Sequence, residues 1–475
     1  MTTYKKVATN ATFILIGNVV VKILALFISV YLARYLGVEQ FGDYNFVITY
    51  LMFFTFVANF GMDSILIRDL ARFPEKTNIM MGNILSIRVI TSVFAILMAI
   101  LLINLLHYSY SIISYISIMT IILLFQGISY LFESLFQANL KMQYSSIGLI
   151  SSKFIYAIFV FIFIYLHYPI IYFFYGYVAA ESIRMILAMF YSKKFINLHF
   201  SIDFGMWKYL FKECLPFIAG YALFIIYYRI DILMLSKMVG NTAVGLYSAA
   251  YKLTDPLLFL PGALASTMMP VMSKLYHENV SKLNYTYSLG CKYILQLMLP
   301  ITMGLFLLSD RIIHLLYSAD YNYSVITLQI LSLTVIFNSI NSIQSSLLTS
   351  SNRQKMNTIS VGICCVINII LNIILIPLYS YNGAAIATLI SVILLFISES
   401  IFIYKSFSYI PLNKSSFMII LSSVIMGLVL SMLPKINMFL TIIICAVLYL
   451  CLLVLFKSIS GDDYLMLKSL VKKGK

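Results

Sequence analysis

Charge is scarce in this chain, and one sign dominates what there is. Only 10% of the 475 residues are charged, with 17 acidic residues against 32 basic ones. A soluble domain carries about 25% charged residues, so a surface built mainly for water is excluded. The six cysteines (Cys214, Cys291, Cys364, Cys365, Cys445, Cys451) lie in or beside apolar runs without metal spacing, so they read as small apolar residues rather than disulfides. The five histidines are scattered and predict no metal site. No phosphate loop, dinucleotide fingerprint, serine elbow or zinc spacing occurs, so no enzyme class is indicated and no cofactor is expected.

Apolar residues are abundant instead. They make up 62% of the chain, and the mean hydropathy is +0.97. Crossing a bilayer takes about 20 apolar residues. Such runs occur at 11–33, 41–62, 80–106, 112–136, 147–166, 169–191, 214–236, 246–270, 289–309, 325–349, 357–378, 381–404, 416–434 and 437–456, which predicts an all-α integral membrane protein with about fourteen transmembrane helices. The first run is longer than a signal-peptide core and has no small-residue cleavage site, so it is expected to stay as an anchor.

The basic residues orient the chain. Only Arg34, Lys237, Arg311 and Lys435 fall on the odd-numbered junctions, while all other basic residues outside the runs fall on the opposite side. The positive-inside rule therefore puts both termini in the cytoplasm of a multi-pass cell-membrane protein. The net charge of +15 then belongs mostly to the cytoplasmic face, where it favours anionic lipid over nucleic acid. The outer loops are short, the longest running over about 310–324, and leave little room for an external active site. Phe204, the single Trp207 and Phe211, with Lys208 and Lys212, predict a helix lying on the membrane over 201–212, and the tail 462–475 reads as a basic amphipathic end.

Traces of duplication are visible. Gly37, Gly42 and Tyr44 form a G-x4-G-x-Y pattern that recurs at Gly240, Gly245 and Tyr247, and Lys141, Met142 and Gly148 are echoed by Lys355, Met356 and Gly362. These echoes relate the first six runs to the next six. They predict two six-helix lobes as parallel repeats (1–200 and 201–405) around a central cavity, with two further helices and a basic tail at 406–475.

Ionisable groups inside the runs are costly and mark candidate sites. Lys22 lies mid-run, roughly 16 Å from either end of a helix, too deep to snorkel fully. Lys22, Arg88 and Arg229 have no acid three or four residues away on their own helices. Glu181 with Arg184, and Lys252 with Asp255, sit three apart and can pair locally. Lys153 and Glu133 lie near the inner ends of their runs, where snorkelling accounts for them. A cavity holding several cations suits an anion, because guanidinium and ammonium groups both bind phosphate oxygens. Asp231 and Asp255 are candidates for proton or sodium coupling, or for neutralising the cations. Asn338 and Asn341 on one stripe, with Asn368 and Asn372 one turn apart, serve either interhelical hydrogen bonds or sugar hydroxyls. Pro256 and Pro261 mark either a hinge or a static kink.

Several stretches carry a family resemblance. They are Val30 to Tyr44 (through Arg34, Gly37, Phe41 and Gly42), Asn59-Phe-Gly61-Met-Asp63, Arg68-Asp-Leu-Ala-Arg72, Tyr228-Arg229-Ile-Asp231, Val244-Gly245-Leu-Tyr247, Ala250-Tyr-Lys252-Leu, Met269-Pro270 and Tyr381-Asn-Gly383-Ala-Ala385-Ile-Ala387. Together, over about residues 1–405, they resemble the polysaccharide-exporting, lipid-linked oligosaccharide flippases, relatives of multidrug antiporters and the lipid II flippase. The resemblance implies two lobes, a V-shaped cavity and alternating access. It leads to the expectation of a flippase for a polyprenyl-diphosphate oligosaccharide used in surface polysaccharide (O-antigen-type) synthesis. Lys22, Arg88, Arg229 and Lys252 would hold the diphosphate, and a polymerase and glycosyltransferases would be partners. The rival expectations are an ion-coupled exporter of amphipathic drugs, a membrane polymerase and a non-transporting assembly scaffold.

Overall fold

The structure is a computed structural model that describes residues 3–197, 199–409, 411, 414–433 and 437–458, and the side chains within them except at 3–16, 216–219 and 221. The tail 462–475 and Lys435 lie outside the described residues. Among the described residues there is no strand. In hydrocarbon each backbone N–H and C=O must find a partner within its own segment, and a chain this apolar satisfies that with helices.

The chain divides into two compact units, Met1–Ser248 and Ala249–Lys475. The first begins with α1 (Thr3–Asn59), α2 (Met62–Arg72), α3 (Thr77–Leu105), α4 (Tyr110–Met119) and α5 (Ile122–Ala138). It continues with α6 (Gln143–Tyr165), α7 (Ile170–Ser192), α8 (Phe204–Met238) and the start of α9 (Asn241–Thr254). Here α1 packs on α3, α5, α6 and α8, and α7 on α5 and α6. The core at one end is made by Leu66, Ile84, Leu131, Phe132, Phe136 and Leu210.

The second unit holds the end of α9, α10 (Phe259–Glu278), α11 (Val280–Leu307), α12 (Ser309–Leu316), α13 (Ser324–Ser350), α14 (Gln354–Phe407), α15 (Lys414–Met432) and α16 (Met438–Leu455). Its central helix is α13, flanked by α10, α11 and α14, while α15 and α16 pack against α11. Apolar residues on the outer helix faces stay exposed: Leu97 62%, Leu101 59%, Ile373 55% and Val454 66%. Apolar exposure on this scale belongs to a surface covered by lipid chains.

Every predicted run has a helical counterpart. Eleven helical stretches among the described residues are long and apolar enough to cross a membrane. Two of them, Gly17–Arg72 with 56 residues and Gln354–Phe407 with 54, would each extend about 80 Å, well over twice the hydrocarbon thickness. Each therefore holds two crossings, and the backbone breaks between them at Gly37 (φ 70°) and Ser380 (φ 53°). The run 112–136 is split at Thr120, between α4 and α5. The run 246–270 is interrupted by a 3-10 turn over Asp255–Leu258. Pro256 sits in that turn and buried Pro261 in the first turn of α10, so the two prolines mark a real change of helix type.

The membrane-surface helix expected over 201–212 is instead the opening of α8, which runs on into the next crossing. Asp203 caps it, accepting from the Gly205 and Met206 amides at 2.8 and 3.2 Å. Trp207 is half-buried, and its Nε1 donates to Asn83 Oδ1 at 3.2 Å. Nothing between Asp203 and Leu215 breaks the helix, so the expected segment is continuous with α8.

The two copies of the G-x4-G-x-Y pattern meet. A Cβ on Gly42 would lie 1.8 Å from the Asn241 carbonyl oxygen, and one on Gly245 would lie 2.0 Å from that of Val38. Val38 and Asn241 hold equivalent places in the two copies, so the contact is reciprocal, as across a local two-fold axis. Gly37 and Gly240 take positive φ values of 70° and 114°, which aim each turn at the other. The Asn241 amide also donates to Asp43 Oδ1 at 2.6 Å. Gly42→Ala or Gly245→Ala should force these backbones apart at a cost of about 1–3 kcal/mol, depopulating the closed contact roughly tenfold. Disulfide formation between D43C and N241C in a cysteine-free background measures this; unchanged cross-linking in the alanine variants would contradict it.

Candidate functional site

Neutralised charge fills the interior of the first unit. Arg88, on α3, is fully buried, and its guanidinium donates to Asn59 Oδ1 and Asp63 Oδ1. Sequence proximity hides this pair, because Asp63 stands on a different helix. The turn at Phe60 and Gly61, both with positive φ, delivers Asn59 and Asp63 to Arg88. Ser134 on α5 donates to the same Asp63 oxygen at 3.3 Å. Gly127 on α5 faces the pair: a Cβ there would make ordinary contacts with Asn59 Oδ1 (3.8 Å) and Arg88 Cδ (3.9 Å) and a tight one with the Ser92 hydroxyl (3.1 Å). Arg88 thus departs from the expectation of a cation open to phosphate, since its charge is matched and it has no exposed surface.

A second group joins α5, α6 and α7. Arg184 donates to Glu133 Oε1 from Nε at 2.9 Å and from Nη2 at 2.7 Å, and to Glu181 at 3.3 Å. Lys153 lies 3.6 Å from Glu181 and donates to the Tyr177 hydroxyl at 3.4 Å. The Arg184 guanidinium also stacks over the Tyr130 ring at 4.9 Å. The Glu181–Arg184 pair expected from spacing is present. Lys153 and Glu133 do not snorkel; they complete a neutral square of two cations and two carboxylates. Such a square is retained in an apolar interior because each charge there would be far costlier alone.

The remaining cations differ. Lys22 is half-buried on α1 and makes no ion pair or hydrogen bond among the described residues. Arg229 is half-buried on α8 and acts electrostatically on Asp231 two residues on. Asp231 is itself buried and accepts from the Tyr247 hydroxyl and, at 2.8 Å, from the Ile232 amide. The tyrosine of the repeated pattern thereby holds the acid of the Tyr228–Asp231 stretch.

In the second unit, Lys252 ends α9 and Asp255 opens the 3-10 turn, both half-buried and both engaged. Asn338 is half-buried on α13. Asn341 is buried and donates to the Val392 carbonyl at 3.3 Å. Asn372 donates to Asn368 Oδ1 at 3.0 Å, and both are buried. Of the two readings offered for these asparagines, the structure supplies helix-to-helix bonding for Asn341 and a bond within one helix for Asn368 and Asn372. None of these three offers a surface to a sugar here. Glu399, an acid within the run 381–404, is also buried, as is Gln344, which the sequence did not single out and whose Nε2 donates to Ser400 Oγ at 2.8 Å.

Arg184→Leu should destabilise the protein by about 3–5 kcal/mol, because it leaves buried Glu181 and half-buried Glu133 facing one lysine. Thermal unfolding in detergent checks this. Adding Glu133→Gln to that variant should recover part of the loss, and strict additivity of the two changes would show that the groups act independently.

A solved structure of the lipid II flippase MurJ in an inward closed conformation superposes with a TM-score of 0.80 at 21% identity, covering 95% of this chain and 99% of that one. An uncharacterized membrane protein of Methanocaldococcus jannaschii is 26% identical over 282 residues, 58% of this chain and 54% of its own length. The probable low-salt glycan biosynthesis flippase Agl15 of Haloferax volcanii is 27% identical over 175 residues, 37% of this chain and 36% of its own. The chain thus spans about half the length of the first of these relatives and about a third of the second. The MatE family model matches residues 216–374. The polysaccharide biosynthesis protein family model matches residues 7–276, more than half of the chain, and the protein belongs to that family.

Proposed function

We propose that the protein is a flippase that carries a polyprenyl-diphosphate-linked oligosaccharide from the cytoplasmic to the outer leaflet by alternating access, with both termini in the cytoplasm. The observation that carries this reading is Lys22: a half-buried ammonium deep in a membrane helix, without a carboxylate partner among the described residues, in a unit where Arg88, Lys153 and Arg184 are each matched by one. An unspent charge at that depth favours an anionic guest. Family membership and the flippase relatives support the same class of cargo.

In this reading Lys22 meets the diphosphate first, and Arg229 shares its charge. Arg88 serves as a structural cation and keeps its hold on Asp63. The polyprenyl chain stays in lipid, and no covalent bond changes. The glycine contact of Gly42 and Gly245 closes the outer end while cargo loads. An inside-negative potential favours outward passage of anionic charge by about 2.3 kcal/mol per charge per 100 mV. Asp231, held by Tyr247, and Asp255 are the candidates for a coupling proton or sodium ion. A polymerase and glycosyltransferases would use and supply the cargo.

The match of residues 216–374 to the MatE model favours one alternative, an ion-coupled exporter of amphipathic molecules. Proteoliposomes separate the two. Lys22→Gln with Arg229→Gln should slow flipping of a polyprenyl-diphosphate oligosaccharide at least about tenfold while sparing membrane insertion, the loss expected when two charge-assisted contacts disappear. Full flipping by the double variant would end the cation-cradle reading, and proton-driven drug efflux by the wild type would favour the alternative.

A further inference from the structure

A cavity of about 560 Å³ opens beside the end of α7 in the first unit, away from Lys22 and the neutral square in sequence and in lining. Its floor is apolar, made by Phe132, Met189 and Ile196, and its polar groups are Lys193, Asn197 and His199. Among the described residues no carboxylate lines it. The nearby acid Asp203 is occupied in capping α8. Ser192 also borders the space, but its hydroxyl is turned to the Met189 carbonyl at 2.8 Å.

The wall formed by the segment after α7 is fastened to α3. A Cβ on Gly82 would lie 2.2 Å from the His199 carbonyl oxygen, so only glycine lets the segment approach. Asn83 Oδ1 accepts from the Asp203 amide at 2.7 Å and from Trp207 Nε1 at 3.2 Å. The Asn83 amide donates to Ser201 Oγ at 3.1 Å, and the Ser86 hydroxyl donates to the Ser201 carbonyl at 2.9 Å. Three hydrogen bonds and a glycine contact thus fix the segment beside a cavity that bears cationic and amide donors.

Its surroundings point to lipid. Phe200, Ile202 and Phe204 stand 72%, 62% and 76% exposed along the same segment, beside exposed Lys208. Large apolar side chains next to lysines are the pattern of the zone between headgroups and acyl chains. A phosphate at this depth finds the Lys193 ammonium and the Asn197 and His199 donors, while acyl chains run over the exposed apolar residues.

We propose that this cavity is a binding site for the phosphate headgroup of a bilayer lipid, held by Lys193, Asn197 and His199 and distinct from the path of the transported molecule. The proposal stands whether or not the flippase reading holds, because it concerns a resident lipid and not a cargo.

Native mass spectrometry of the full chain in detergent, titrated with dioleoyl phosphatidylglycerol, tests it. One lipid should be retained per chain, and Lys193→Gln combined with His199→Gln should weaken retention about tenfold. Asn197→Asp, which adds a negative charge to the cavity, should weaken it at least as much. Lys194 is the control, since it lies over the Tyr144 and Tyr191 rings at 5.3 and 5.5 Å and is not part of the lining. Lys194→Gln should change retention by less than about twofold, as for a screened surface charge. Equal losses in K194Q and the double variant would overturn the site in favour of general surface attraction. Glycerol 3-phosphate binding as tightly as the lipid would overturn it in favour of soluble phosphate, and undiminished retention in all cavity variants would overturn it outright.

Discussion

A charge buried at bilayer depth must be matched by another charge or by a guest, and the first unit is organised around that requirement. Arg88 is matched by Asp63 and Asn59, and Arg184 and Lys153 by Glu133 and Glu181. These groups tie α1, α2, α3, α5, α6 and α7 together where the hydrophobic effect contributes little, since lipid chains are as apolar as the helix faces. The fixed partners also give the helices definite rotations, because a helix turned by one residue would bury a bare charge.

Against this neutralised background the exceptions acquire meaning. Lys22 is half-buried and unmatched among the described residues, so it marks the place where the interior departs from self-sufficiency. The reciprocal glycine contact supplies the complementary mechanical element: two backbones touching through Gly42 and Gly245. A contact made chiefly of backbone, with one side-chain hydrogen bond from Asn241 to Asp43, can separate without unpacking a core, which suits a closure that must open repeatedly. The fastened segment after α7 is the opposite case, where hydrogen bonds to Asn83 and Ser86 hold a loop in one place.

The limits of spacing arguments are visible residue by residue. Glu181 and Arg184 are three apart on one helix, so their pairing follows from the chain itself. Arg88 looked unpartnered because its acid lies 25 residues away on another helix. Glu133 looked like a snorkelling end residue because its arginine lies 51 residues away. Trp207 carried the composition of a membrane anchor, yet a single amide, Asn83, turns it toward the protein.

The sequence alone determined the class of the molecule, the helical runs that cross the membrane, and the duplicated glycine turns, because hydropathy and backbone freedom are properties of short stretches of chain. Tertiary structure alone decided which deep charges cancel, which asparagines are closed off, and that the two glycine turns touch. Those outcomes depend on which helix faces meet across gaps of tens of residues, and local periodicity carries no information about the partner on the other side.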